Sequence, residues 1–237
     1  MYFRRIIFSA LVIGFLSGLL HSGVQLLDVT SIIYGAEAYE IAEVEPAGSH
    51  THEAEAWAPE DGAERIGYTF ISNILAGIGF AAILLAIMNQ VQQQGLTQLS
   101  ISKGFLWGLA GFSAFFAAPG LGLSPEIPGT QAAELELRQV WWVLTVVATI
   151  IGFAILAFTP LKFKLLGVVV VALPHLIGAP HISGPEFTHP DPAAVEALTD
   201  LHHQFIIATG VSNFVFWVAL GICCAWAVQR STSSNNG

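Results

Sequence analysis

The chain carries eight histidines and 17 acidic residues, nitrogen and oxygen donors of the kind that hold divalent transition metals. His50 and His52 flank Thr51 and precede Glu53 and Glu55. On an extended loop, residues i and i+2 face one side, so His50, His52, Glu53 and Glu55 are expected to capture a metal ion. The competing reading is a solvated acidic loop, because a short His-containing tract is compositional evidence only. A second set, His21, Glu37, Glu40, His175, His181, His202 and His203, is placed to line a path for the ion. His175 follows Pro174 in an apolar run. Polar residues inside lipid are rare and usually functional, and a hydrogen-bonded packing role is the alternative. His202 and His203 are adjacent, so on a helix their rings diverge and one faces inward.

Other chemistries lack their minimum. No G-x-x-x-x-G-K-[ST] phosphate loop occurs, so no ATP is expected to be bound by this chain, and no H-E-x-x-H or G-x-S-x-G points to a hydrolase. No prosthetic group is expected, and the chain is read as a non-enzyme. Cys223 and Cys224 are adjacent in an apolar run, which is neither a disulfide framework nor a zinc-finger spacing. A net charge of −9 argues against nucleic acid as a partner.

The elements that must position these donors are membrane spans. Of the 237 residues, 54% are hydrophobic and only 11% charged, too few polar groups to cover a water-facing globule. Apolar runs long enough for lipid lie near residues 6–27, 66–88, 104–123, 140–159, 165–182 and 204–228. None alternates as a membrane barrel requires, so each satisfies its own backbone hydrogen bonds as a helix. The expected fold is an all-α integral membrane protein, a bundle of about six transmembrane helices. The number falls to five if the fifth segment, short and carrying Pro174 and Pro180, does not span. A single transmembrane domain over residues 1–230 is expected, with an acidic, His-containing outer loop at 28–65 and a disordered polar tail at 231–237. A short helix is expected to open at Pro192 ahead of the last span. Arg4 and Arg5 before an apolar run also describe a secretory signal, but the run is long and no small-x-small site closes it promptly. Gly14 with Gly18 and Gly104 with Gly108 are small-xxx-small pairs that let helices approach closely.

Six spans place Arg4, Arg5, Lys103, Lys162, Lys164 and Arg230 in inner segments and only Arg65 and Arg138 in outer ones. That bias puts both termini in the cytoplasm. All 17 acids fall on the outer side, where two cations leave −15; with +6 inside, the total returns the net −9. A cation approaching the outer face would be concentrated before meeting nitrogen donors.

Several segments carry a resemblance as a set. Glu37-Ala38-Tyr39-Glu40, Trp57-Ala58-Pro59, Trp107-Gly108-Leu109-Ala110-Gly111 and Pro119-Gly120-Leu121-Gly122-Leu123 are four of them. Pro128-Gly129-Thr130, Arg138-Gln139-Val140-Trp141-Trp142, Pro174-His175-Leu176-Ile177-Gly178-Ala179-Pro180, and Ser212-Asn213 with Phe216-Trp217 complete the set. The ensemble resembles the CbtA family across nearly the whole chain. The resemblance implies a subunit of a bacterial cobalt transporter linked to cobalamin synthesis, working beside CbtB, a small single-span partner with a histidine-containing tail. It also implies Co²⁺ as the transported ion and the cytoplasmic (inner) membrane as the location. Members of that family are drawn with five spans, whereas the charge pattern here favours six. Two other classes compete: a membrane haem or redox protein with His21 and His175 as axial ligands, and a metal-binding membrane assembly factor.

Overall fold

The computed structural model describes residues 2–40 and 59–233. Every regular element among them is helical: α1 (Tyr2–Leu27), α2 (Val29–Glu37), α3 (Ala63–Gln93), α4 (Ile101–Phe112), α5 (Ala118–Gly120), α6 (Leu135–Phe158), α7 (Lys164–Ile177) and α8 (Pro192–Ser233). A π-helical turn, Ser113–Ala117, joins α4 to α5, and a 3₁₀ turn, Leu161–Phe163, precedes α7. Local chemistry sets several of these limits. Gly95, at φ +70, closes α3: its N–H donates to Gln92 O and that of Leu96 to Val91 O, the paired bonds of a Schellman stop. Ser100 caps α4 by accepting from Lys103 N, and Gly178, at φ +87, ends α7.

Five helices are long and apolar enough to cross a membrane: Arg4–Leu27, Ala63–Gln93, Ile101–Gly120, Leu135–Phe158 and Pro192–Ser231. Large apolar side chains such as Phe8, Val12, Leu75, Ile83 and Val140 are exposed on their outer faces, as lipid contact requires and water does not favour. The fifth apolar run differs from the expectation of a helix over 165–182. Its helix has 14 residues, about 21 Å of rise against a hydrocarbon core of about 30 Å. Gly178 stops it before Pro180 is reached. α7 lies antiparallel on α6, Gly167 meeting Gly152 and Pro174 meeting Trp141.

The last segment also departs from expectation. In place of a short helix and a separate span, α8 is one helix of 42 residues, about 63 Å long. No Gly or Pro lies between Ala193 and Thr209 to break it, and its first turns are buried against α2. Val29, Ile32 and Ala36 of α2 pack there with Ile127, Phe187, Leu198 and Phe205. The expected tail at 231–237 begins inside this helix, since Ser231–Ser233 are helical, and 234–237 lie outside the described residues.

The main core joins α1, α3 and α8 through Ile13, Leu85, Met88, Trp217, Leu220 and Cys224, with Trp107 and Phe112 of α4 packed against it. Both glycine pairs sit at crossings. A Cβ on Gly14 would lie 2.3 Å from Ile78 Cα, and one on Gly108 2.5 Å from Trp217 O. Arg5, Asn89 and Ser231 line one small cavity, so the start of α1, the end of α3 and the end of α8 share one end of the bundle. The α2 layer forms the other.

Candidate functional site

Helix direction sorts the charges by end. Arg4, Arg5, Lys103, Lys162, Lys164 and Arg230 lie toward the end where α1 begins and α8 finishes, and every described acid lies toward the α2 end. The two cations there are clasped by carboxylates. Arg65 pairs with both oxygens of Glu37 through its two terminal nitrogens, bonds Asp61 at 3.1 Å and lies over the Tyr34 ring. Arg138 Nη1 holds both oxygens of Glu126.

At this acidic end the segments 121–134 and 178–191 flank an open cleft of about 180 Å³, lined by Ser124, Glu126, Gln131, Arg138, His181 and Glu186 among others. Cross-ties hold its walls. Gln131 N donates to Glu186 O at 2.7 Å. His202, buried in α8, donates from Nε2 to Pro125 O at 2.8 Å and sets Nδ1 3.1 Å from Glu186 Oε1, with its ring against Phe187. His203 is exposed.

A second polar group lies inside the bundle, between α1, α3 and α8. Asn73 Nδ2 donates to Ser22 Oγ (3.0 Å) and Gln25 Oε1 (2.7 Å). Gln25 Nε2 donates to His21 Nε2 at 3.1 Å, and His21 Nδ1 faces Ser212 O (3.3 Å) and Ser212 Oγ (3.1 Å). Buried polar groups require partners, and both nitrogens of His21 have them.

His175 is half-buried, its ring edge-on to Trp141 at 5.8 Å. The Pro174 carbonyl accepts from Trp141 Nε1 and from Gly178 N. α7 packs on α6, while α1 packs on α3 and α8. His21 and His175 therefore sit in different parts of the bundle, and the structure does not bring them together as axial ligands or as a shared metal pair. Glu40 is exposed, and Glu37 is committed to Arg65. His50, His52, Glu53 and Glu55 lie outside the described residues. Among the described residues, no three His, Cys, Asp or Glu side chains converge to hold a metal ion.

Sequence reasoning missed Gln25, Glu126 and Glu186. Gln25 had a signal: it stands four residues after His21, on the same helical face as Gly14 and Gly18, as i and i+4 do. Glu126 and Glu186 had none, being loop residues far apart in the chain.

Helices fit to cross a membrane, with large apolar side chains on their outer faces, define a polytopic all-α membrane protein. Over residues 3–229 the chain matches the family model CbtA, described as a probable cobalt transporter subunit, and it belongs to that family. No curated protein and no solved structure matches the chain.

Proposed function

We propose that this chain is the membrane-embedded subunit through which a divalent transition metal, Co²⁺, enters the cytoplasm in support of cobalamin synthesis. The observation that carries this reading is the charge polarity of the bundle, with every described acid toward one end and six of the eight basic residues toward the other. In the proposed orientation the acidic end faces outward across the cytoplasmic membrane, and both termini are cytoplasmic. Such a surface raises the local concentration of cations. An inside-negative potential of 100 mV then favours inward movement of a divalent ion by about 4.6 kcal/mol, so uptake needs no ATP bound to this chain and no chemical step. The subunit works with a small single-span CbtB-like partner. Histidine and carboxylate donors offset dehydration, among them His175 in α7, His181 in the segment that follows it, and His50 and His52 in the loop. Nitrogen ligands alone would favour copper, so geometry or supply selects cobalt.

The test is radiolabelled Co²⁺ uptake by cells producing this chain with its partner, with Ni²⁺, Cu²⁺ and Zn²⁺ as competitors. Saturable uptake that depends on this chain is expected. Cells that insert both subunits and accumulate no more Co²⁺ than controls would refute it.

A further inference from the structure

We propose that the small cavity at the basic end is a headgroup site, in which Arg5 and Ser9 hold the phosphate of an anionic phospholipid. This goes beyond the transport reading and does not depend on it. The starting observation is positive charge that nothing in the chain balances. Arg4, Arg5, Lys103, Lys162, Lys164 and Arg230 lie toward this end, yet residues 1–27, 89–103, 159–165 and 226–237 contain no Asp or Glu. The ion pairs among the described residues all lie at the opposite end. The counter-charge therefore comes from outside the chain, and in a bilayer the anions at this level are lipid phosphates.

Arg5 lines the cavity between α1, α3 and α8. Its side chain is exposed, and among the described residues it has no hydrogen-bond or ion-pair partner. Arg4 and Arg230 instead lie over the rings of Phe8 and Trp226. Ser9, one turn further along α1 and half-buried, also lines the cavity, and its hydroxyl has no partner among the described residues. The other polar groups are engaged, Ser231 Oγ donating to Val228 O and Asn89 Nδ2 to Leu85 O. The cavity thus offers a fork of N–H donors at its mouth and one O–H donor within. That set suits a phosphate, because a guanidinium matches two phosphate oxygens in a planar, bidentate fork. The volume of about 20 Å³ is more than the 10–15 Å³ or so that one water needs. One phosphate oxygen therefore enters, and the rest of the headgroup stays at the mouth. Phe8 and Trp226 are exposed on the flanking helices and give the acyl chains an apolar surface. A free phosphate ion gains nothing from that surface, so the lipid is the favoured occupant.

The experiment titrates short-chain phosphatidylglycerol into the purified full chain in an uncharged detergent. It follows the rise in melting temperature with lipid concentration, and native mass spectrometry counts the lipids bound. One lipid is expected to bind saturably, and more tightly than phosphatidylcholine, whose choline cancels the phosphate charge. Arg5→Gln breaks no bond among the described residues, so it should melt like wild type without lipid. It should weaken lipid binding about tenfold, the loss of charge-assisted hydrogen bonds. Ser9→Ala should weaken it about fivefold, one ordinary hydrogen bond. Lys162→Gln removes the same charge from the turn between α6 and α7, outside the cavity. It should leave binding within about twofold, because physiological salt screens charges beyond about 8 Å. Equal losses in Arg5→Gln and Lys162→Gln would overturn the site, since diffuse attraction counts cations without regard to place. So would a loss in Arg5→Gln with none in Ser9→Ala. Inorganic phosphate that displaces the lipid at equal concentration would also overturn it, by making this a site for a free anion. Co²⁺ uptake is not scored in this test, so its failure leaves the transport reading untouched.

Discussion

At the residue scale, the histidines divide into bonded and unbonded groups, and the division decides which substitutions are informative. His175 sits edge-on to Trp141 in a helix that contains Pro174. His175→Ala is expected to abolish metal uptake while the protein still inserts and melts normally. His175→Gln, which can hydrogen-bond but binds these metals poorly, should leave uptake absent. Wild-type uptake by a stably folded Gln variant would make His175 a packing residue. For the loop, His50→Ala with His52→Ala should lower uptake at scarce metal and spare most of the maximal rate, because a capture tract raises supply without forming the path. Equal losses at scarce and saturating metal would contradict that role. Arg65 links α2 to the start of α3 through Glu37. With Arg65 32% and Glu37 25% exposed, breaking the pair should lower stability by about 1 kcal/mol. A double-mutant cycle with Glu37→Gln measures this.

At the element scale, the helix crossings depend on absent side chains. A Cβ on Gly14 meets the Ile78 backbone at 2.3 Å, and backbone cannot rotate away as a flexible side chain does. Gly14→Ala should therefore cost about 1–3 kcal/mol, the usual range for overpacking. On the partner helix α3, a Cβ added to Gly79 would meet nothing within 4 Å. Gly79→Ala should be neutral or stabilising by up to about 1 kcal/mol through helix propensity. Melting of the two variants in one detergent compares them directly; equal destabilisation would mean the α1–α3 crossing is looser than its geometry. The π-helical turn after α4 lies among stacked aromatic rings, Phe115 on Trp217 at 5.1 Å and Phe80 edge-on to Phe115 at 5.0 Å. These rings fill the space between α3, α4 and α8.

At the scale of the whole molecule, α7 returns the chain from the Lys162–Lys164 end toward the end where α8 begins. The start of α1 and the end of α8 therefore share one end, although α7 is shorter than a full span. With six of eight basic residues at that end, both termini should be cytoplasmic. A C-terminal reporter that is active only in the periplasm would reverse this. α8 is about twice the length that lipid needs, and its first turns support the layer on which the acidic-end cleft is built.

The amino-acid sequence alone determined the solvent, the helical class and the division of charge, because each is a sum over local composition. A run of about 20 apolar residues in lipid has no option but to close its own hydrogen bonds. The glycine pairs were legible for the same reason, since spacing on one helix sets which residues share a face. Where α7 stops and whether α8 breaks at its membrane edge were decided by tertiary structure: Gly178 turns the chain at positive φ, and α2 buries the first turns of α8, which the sequence reads as a short helix separate from the last span. The site was least legible. His21 and His175 look alike as intramembrane histidines, yet packing gives one two hydrogen-bonded nitrogens and sets the other against Trp141. Glu126 and Glu186 share a cleft only because α6, α7 and α8 bring two loops to the same end, and no local pattern encodes a contact between residues 60 apart in sequence.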